Sequence, residues 1–265
     1  MKLNQISVGE AFVNTIDVGS GPVILLVHGF PLSHQMWKFQ IEALSSRYRV
    51  IAPDLPGFGS SPVCDTPMSM RGLADTLAAM LESMGVAEPV AYCGLSMGGY
   101  VGWQFWKHHR PRLSHLIACD TRAACDSEEV HRARKIAAHS VMQTGAITVA
   151  NSMVEKLFHE PGSERNQSIV GEIHEVISQT SPASIAAGQL AMADRLDATP
   201  WISKIEIPTL FVVGQFDKIT TSQEMRSNAD LVPGSEFLEI ADAGHMAPLE
   251  NHAEFNQGLI EFLNR

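Results

Sequence analysis

A tight turn around one serine constrains the fold of this chain more than any other feature. Residues 94–98 read Gly-Leu-Ser-Met-Gly and directly follow an apolar run at 89–93. In a G-x-S-x-G turn from strand to helix, the glycines avoid collisions with neighbouring backbone, and the central serine adopts a strained conformation that exposes its hydroxyl. Apolar residues at helical spacing follow at 100–105. The pattern therefore predicts a buried strand, a sharp turn at Ser96 and a helix whose first N–H groups point toward the serine.

Strand-like and helix-like segments alternate along most of the chain. Several strand-like runs are continuous stretches of Val, Ile and Leu, which are typical of parallel strands covered on both faces. The first run alternates and is followed by Gly-Ser-Gly-Pro at 19–22, so we expect a hairpin between the two opening strands. The predicted fold is α/β, a mostly parallel, doubly wound sheet with an antiparallel start. The strand-like runs lie at 11–18, 23–28, 48–52, 90–93, 116–119, 209–213 and 236–240, and the helical patterns at 36–44, 69–84, 98–108 and 252–263.

This alternation stops between residues 120 and 207, where helix starts occur without a convincing strand. A capping box at 126–129 indicates one helix N-terminus. So long a segment between two neighbouring strands normally forms a lid or a second module. We therefore predict an α/β core at 1–121 and 198–265 and a helical cap at 122–197, inserted over the C-terminal edge of the sheet.

The composition argues against several classes of protein. With 265 residues, 45% hydrophobic and 18% charged, the chain suits one large globular domain with an inserted subdomain. Its formal net charge of −10 argues against nucleic acid or an anionic membrane as a partner. No apolar run approaches the roughly 18 residues of a membrane span, and no signal peptide is recognised. Because Cys64, Cys93, Cys119 and Cys125 show no CxxC spacing, we expect a cytoplasmic protein in which Cys93 and Cys119 are buried free thiols.

A serine nucleophile requires a base, and the base requires an acid that orients it. His245 follows the last predicted strand, and Asp217 follows the strand at 209–213. Both positions lie at C-terminal strand ends, where the active sites of such sheets are found. The chain order Ser96, Asp217, His245 is the one expected for a nucleophile on a G-x-S-x-G turn. Asp120 also ends a strand and is an alternative acid, but the chain order favours Asp217.

An acyl-transfer reaction also requires donors for the oxyanion. The backbone N–H of Met97, directly after the serine, is the first candidate. The loop at 28–31, His-Gly-Phe-Pro, follows a predicted strand, and we expect the N–H of Phe30 to be the second donor. His28 is expected to brace this loop by hydrogen bonding. No spacing of His, Asp, Glu or Cys resembles a metal site, so neither a metal nor a cofactor is predicted.

Together these motifs resemble the α/β-hydrolase superfamily, in particular its small esterases, lactonases and cofactor-free haloperoxidase-like members. The resemblance covers essentially the whole predicted core, and the segment at 118–123 is further similar to proteins grouped near 3-oxoadipate enol-lactonases. It implies an α/β-hydrolase fold, a small-molecule ester or lactone as substrate and an acyl-enzyme on Ser96. The motifs that carry it lie at 28–31, 54–61, 94–99, 214–217 and 244–245.

Other interpretations stay open at the level of the sequence. The same triad is compatible with perhydrolysis, as in the haloperoxidase-like members, or with cleavage of a carbon–carbon bond. The fold is also compatible with a non-catalytic ligand-binding protein, although the presence of all three triad residues argues against it. Serine rather than aspartate as the nucleophile argues against a haloalkane dehalogenase or an epoxide hydrolase. The sequence does not define the individual substrate, its acyl chain length or the oligomeric state.

Overall fold

The computed structural model describes residues 2–9, 11–63 and 67–265, so Cys64 lies outside the described residues. Within them the strands are β1 (Leu3–Val8), β2 (Ala11–Val18), β3 (Val23–Val27), β4 (Arg49–Pro53), β5 (Val90–Leu95), β6 (Leu113–Cys119), β7 (Thr209–Gly214) and β8 (Glu236–Ile240). They form one sheet in the order β1-β2-β4-β3-β5-β6-β7-β8. The pairs β1–β2 and β2–β4 are antiparallel, and the other neighbouring strands are parallel. The predicted mostly parallel sheet with an antiparallel start is confirmed.

The antiparallel start is built differently from the predicted hairpin. β2 pairs with β1 on one side and with β4 on the other, so the hairpin expected between the first two strand-like runs is wrong. Gly19 and Gly21 both have positive φ, and a Cβ on Gly19 would lie 2.2 Å from the carbonyl oxygen of Tyr48. The turn therefore packs against the chain that enters β4, and β4 separates β2 from β3. The hairpin that does form joins β1 to β2. Because β1 contains several polar residues, its sequence does not stand out as a strand.

Helices pack against the sheet through apolar faces. In α2 (Met70–Ser83), Ser69 caps the first turn by accepting the N–H of Gly72, and Leu73, Leu77 and Leu81 recur at helical spacing on the buried side. The other helices between core strands or after them are α1 (Lys38–Leu44), α3 (Met97–His109), α9 (Ser222–Leu231), α10 (Ala247–Glu250) and α11 (His252–Leu263). Between β6 and β7 lie α4 (Glu128–Thr144), α5 (Ala146–Leu157), α6 (Gln167–Gln179), α7 (Pro182–Ala193) and α8 (Thr199–Ile202). No helix in the described ranges combines the length and the apolar character that a membrane crossing requires.

The central strand β3 is buried on both faces. Leu25 and Val27 belong to an apolar layer that includes α2 and α3, whereas Ile24 and Leu26 belong to a layer on the opposite face. This double burial explains why the strand reads as a continuous apolar run. Because β3, β5, β6 and β7 are parallel, the loops that leave their C-terminal ends share one edge of the sheet.

Two thiols lie beneath this edge. Cys93 in β5 and Cys119 in β6 are buried and free, with their sulfur atoms 3.7 Å apart. Burial, followed by the contact with Cys93, raises the pKa of Cys119 well above its usual range. Cys125 is free and exposed. The burial expected for Cys93 and Cys119 is therefore present.

Candidate active site

The turn between β5 and α3 is as tight as its glycines suggest. Ser96 has φ 54° and ψ −112°, a strained conformation for a residue with a side chain. A Cβ on Gly94 would lie 2.4 Å from the carbonyl oxygen of Gly98. A Cβ on Gly98 would lie 2.3 Å from the carbonyl oxygen of Val27 in β3. Both glycines are required because backbone atoms occupy the space that a side chain would need.

Hydrogen bonds from β6 and the loop after it hold Ser96 in place. The backbone N–H of Ser96 donates to the carbonyl of Cys119 at 2.8 Å. The hydroxyl of Thr121 donates to the carbonyl of Ser96, also at 2.8 Å. Ser96 is partly exposed, whereas its neighbours on both sides along β5 and α3 are buried. The fold therefore presents the serine, and little else of this segment, to an incoming molecule.

An acid–histidine pair follows β7 and β8. Nδ1 of His245 lies 2.7 Å from Oδ2 of Asp217, and both residues are buried. The second carboxylate oxygen of Asp217 accepts the N–H groups of Ile219 at 2.7 Å and Thr220 at 3.1 Å. These bonds satisfy an ionised carboxylate and let it accept the Nδ1–H of the imidazole, which leaves Nε2 as the basic nitrogen.

The loops that carry this pair touch through their backbones. A Cβ on Gly214 would lie 1.9 Å from the carbonyl oxygen of Gly244, the residue before His245. The N–H of Phe216, next to Asp217, donates to the carbonyl of Ala243 at 2.8 Å. The separation of acid and base is thus determined by main-chain contact.

Asp120 links the pair to the serine turn. Ligating atoms of Asp120, Asp217 and His245 all lie within 4.8 Å of one another. Because Ser96 is hydrogen-bonded to Cys119, the residue before Asp120, the serine turn and the acid–histidine pair meet at the same edge. In the described residues no direct hydrogen bond joins the hydroxyl of Ser96 to His245. Such bonds are often long in the absence of substrate.

The environment of Asp120 differs from that of Asp217. Asp120 is fully buried with φ 46°, and its Oδ1 accepts the N–H of Gly214 at 2.8 Å. Its Oδ2 has no hydrogen-bond partner among the described residues. Burial raises the pKa of Asp120 well above its usual range, and the nearby carboxylates of Asp217 and Glu250 raise it further. A raised pKa disfavours the ionised carboxylate that would stabilise an imidazolium, and the structure bonds His245 to Asp217 rather than to Asp120.

These three residues also form the one group in the described ranges that is close enough to hold a metal ion. However, Nδ1 of His245 and Oδ2 of Asp217 are bonded to each other, and Oδ1 of Asp217 accepts two backbone N–H groups. The geometry fits a hydrogen-bonded acid–base pair, because these ligand atoms already have partners.

The candidate oxyanion donors belong to the residue after the serine and to the loop after β3. The N–H groups of Phe30 and Met97 donate to no protein acceptor among the described residues. A Cβ on Gly29 would lie 3.4 Å from the Cβ of Ser96, so the loop that carries Phe30 approaches the serine closely. His28 joins this loop to the one after β4, because its Nδ1 contacts the carbonyl of Gly29 at 2.8 Å and its Nε2 accepts the N–H of Leu55 at 2.9 Å. Burial lowers the pKa of His28, which favours the neutral ring that this pattern requires.

Sequence reasoning missed Glu250. Its Oε1 accepts the N–H of Gly244 at 2.8 Å, and its Oε2 accepts the N–H of His159 at 2.7 Å. The carboxyl group therefore ties the loop of His245 to the segment after α5. Burial raises the pKa of Glu250 to about 7. A lone acid in the apolar stretch at 246–250 is the only sequence signal for this role.

Comparisons with known proteins agree with this architecture. A family model described as alpha/beta hydrolase fold matches residues 22–252. The chain is similar to 3-oxoadipate enol-lactonase 1 of Acinetobacter baylyi, with 25% identity over 238 residues that cover 90% of this chain and 87% of the relative.

Two solved structures are similar over nearly the full length. A thermophilic esterase from Thermogutta terrifontis, solved with malate bound, has 38% identity and a TM-score of 0.94, and the match covers 100% of this chain and 98% of the esterase. The enol-lactonase from Burkholderia xenovorans LB400 has 25% identity and a TM-score of 0.91, and the match covers 99% of this chain and 100% of the lactonase.

Proposed function

Since this chain belongs to the alpha/beta hydrolase fold family, we propose that it is a serine hydrolase that cleaves carboxylic esters or lactones. The observation that carries the proposal is the strained, partly exposed Ser96 at the sheet edge that also holds the buried Asp217–His245 pair. The similar proteins include an esterase and enol-lactonases, which supports an acyl substrate of this class.

The proposed reaction gives each group one role. The hydroxyl of Ser96 attacks the acyl carbon while Nε2 of His245 takes its proton, and Asp217 stabilises the resulting imidazolium. The oxyanion is held by the N–H groups of Phe30 and Met97, each of which is worth about 3 kcal/mol of transition-state stabilisation. His245 then donates its proton to the leaving alcohol, which yields the acyl-enzyme on Ser96. A water molecule deprotonated by His245 releases the acid and restores the hydroxyl.

Helices α4 to α7, within residues 122–197, are proposed to form a cap over this site. Three contacts support this role. The N–H of His159 is bonded to Glu250, and the carbonyl of Leu157 accepts the N–H of Met246, next to the catalytic histidine, at 3.1 Å. On the other side, a Cβ on Gly188 in α7 would lie 2.7 Å from the ring of Phe30. The segment therefore contacts both the loop that carries His245 and the loop that carries Phe30.

The test replaces the nucleophile. Ser96→Ala is expected to lower kcat for a p-nitrophenyl ester of a short acid by at least ~10³-fold, because no other group in the site attacks the carbonyl. Ser203→Ala, at an exposed position outside the site, is the matched control and should leave kcat unchanged. Circular dichroism verifies that both variants fold.

Labelling with a fluorophosphonate probe separates a hydrolase from a binding protein with the same fold. The probe reacts only with an activated serine, so the wild type should be labelled and Ser96→Ala should not. Turnover retained in Ser96→Ala, or a folded wild type that resists the probe, would reject the assignment.

A further inference from the structure

Asp120 has no role in the reaction proposed for Ser96, although it lies directly beside the acid–histidine pair. Its side chain is fully buried, and ligating atoms of Asp120, Asp217 and His245 all lie within 4.8 Å of one another. The backbone of Asp120 has φ 46°, an uncommon conformation for a residue with a side chain. Such conformations cluster at functional sites, which makes Asp120 a candidate for a further role.

The two carboxyl groups accept different numbers of hydrogen bonds. Asp217 accepts two backbone N–H groups from the segment 219–220 and is bonded to Nδ1 of His245. Asp120 accepts one N–H among the described residues, that of Gly214 at 2.8 Å. Hydrogen bonds donated to a carboxylate favour its charged form, so this distribution favours a negative charge on Asp217 and a proton on Asp120.

The contact between the two acids requires a proton. The side chains of Asp120 and Asp217 are in hydrogen-bonding contact, and two ionised carboxylates have no donor to offer each other. In the part of the chain that the structure describes, no N–H or O–H group donates to Oδ2 of Asp120. A proton on this oxygen explains both observations, because Oδ2 is then itself the donor. Two carboxyl groups in contact commonly share one proton in this way.

The acceptor capacity of Asp217 matches this arrangement. A carboxylate has about four lone-pair sites, two on each oxygen. The N–H groups of the segment 219–220 occupy both sites of Oδ1, and His245 occupies one site of Oδ2. One site of Oδ2 is therefore left for the donor on Asp120.

The charges around Asp120 favour the same state. Burial and next the charge of Asp217, from the loop after β7, raise the pKa of Asp120, and Glu250 in α10 raises it further. The other titratable neighbours are His245 and the thiol of Cys119 in β6, whose own pKa is raised by burial. No lysine or arginine is among the described groups that shift the pKa of Asp120, so no cation offsets a second negative charge here.

We infer that Asp120 is a positioning residue that keeps its proton and donates a hydrogen bond to Asp217. This bond fills the last acceptor site of Asp217, orients its carboxylate toward Nδ1 of His245 and keeps the single negative charge of the two acids beside the imidazole. The inference rests on the proposed hydrolase function, in which Asp217 stabilises the imidazolium. Asp120 acts through Asp217 and takes no part in binding the ester.

Infrared spectroscopy detects the proton, because the C=O stretch of a protonated carboxyl group lies above the bands of carboxylates and amides. At pH 8 this band should be present in the wild type, shift in heavy water and be missing from Asp120→Asn. Glu250, with a pKa of about 7, is present in both proteins, so its signal cancels in the difference spectrum. Asp230→Asn, which replaces an exposed acid in α9, is the matched control and should leave the band unchanged.

Kinetics tests the positioning role. Asparagine keeps an N–H donor for Asp217 and an acceptor for Gly214, whereas glycine removes both and adopts positive φ without strain. Asp120→Asn should therefore keep kcat for a p-nitrophenyl ester within about tenfold of the wild type, and Asp120→Gly should lower it about 10²-fold, as misplacement of a catalytic group does. KM should be unchanged in both variants. Circular dichroism verifies folding, and if Asp120→Gly does not fold, the infrared comparison still decides.

A wild type without the band, or a band that persists in Asp120→Asn, overturns the inference, because Asp120 then holds no proton. Wild-type kcat in Asp120→Gly overturns it as well, because the proton then positions nothing. The infrared measurement requires no substrate. A missing band in an active enzyme would therefore refute only the role of Asp120, whereas failure of Ser96 to react with the fluorophosphonate probe would refute the proposed hydrolase.

Discussion

Replacing Gly98 by alanine tests how closely α3 must approach β3 for the serine turn to form. The new Cβ would lie 2.3 Å from the carbonyl oxygen of Val27 and 2.9 Å from that of His28. Ordinary van der Waals contact begins at 3.4 Å, so helix and strand must separate by about 1 Å. The obstructing atoms belong to the backbone, and no side-chain rotation relieves the contact.

Two opposing terms determine the size of the effect. Overpacking of a buried site costs about 1–3 kcal/mol, whereas alanine gains up to about 1 kcal/mol over glycine in a helix. We therefore expect Gly98→Ala to lower the free energy of unfolding by about 1–2 kcal/mol. The same displacement moves Met97 and the loop of Phe30, and a misplacement of this size costs roughly 10²-fold in kcat.

Gly171→Ala is the matched control. Gly171 lies within α6, and a Cβ there would meet nothing within 4 Å. Because only the helix propensity changes, this variant should gain about 0.5–1 kcal/mol. Urea denaturation gives both stabilities, and hydrolysis of a p-nitrophenyl ester gives kcat. If Gly98→Ala were as stable as Gly171→Ala and as active as the wild type, the close-packing argument would be wrong.

The remaining predictions concern buried charges. Asp217→Asn should lower kcat about 10⁴-fold by removing the carboxylate that accepts Nδ1–H of His245. Asp120→Asn should cost less than about tenfold, because His245 is bonded to Asp217 and burial already disfavours the charged form of Asp120. Steady-state kinetics measures both variants, and the reverse order would assign the acid role to Asp120. Asp126→Ala leaves the buried Arg195 without its carboxylate partner. The free energy of unfolding, measured by urea denaturation, should fall by about 3–5 kcal/mol. An unchanged denaturation midpoint would mean that the pair does not stabilise the fold. The folded pKa of Glu250, about 7, exceeds the ordinary value of 4.5, so the folded state holds a proton that the unfolded chain releases between these values. The free energy of unfolding should therefore fall by as much as about 3 kcal/mol as the pH rises through this window, and Glu250→Gln should abolish that part of the slope; a variant with the full slope would contradict the assignment.

Local signals account for much of what could be predicted. The strand, turn and helix around Ser96 follow from glycine spacing and apolar periodicity, both of which act over a few residues. Asp217 and His245 were predicted from their places after strands, and parallel strands bring such positions to one edge. The structure places Asp217 and His245 in contact as this reasoning indicates, and their catalytic roles stay a prediction.

Long-range pairing accounts for what could not be predicted. The insertion of β4 between β2 and β3 depends on partners 26 to 38 residues apart, for which the turn at 19–22 carries no information. The role of Glu250 depends on backbone N–H groups of Gly244 and His159, and these meet its carboxyl only in the folded chain. The raised pKa of Asp120 likewise arises from burial beside Asp217 and is not a property of its neighbours in sequence.

The backbone contact between Gly214 and Gly244 has a consequence for the evolution of specificity. Peptide groups, rather than side chains, hold the loops of Asp217 and His245 against each other. The helical segment touches the His245 loop through Leu157 and, by way of Glu250, through His159. For the proposed hydrolase, we expect substitutions in the helices between β6 and β7 to alter which acyl groups bind more readily than they alter the contact between Asp217 and His245.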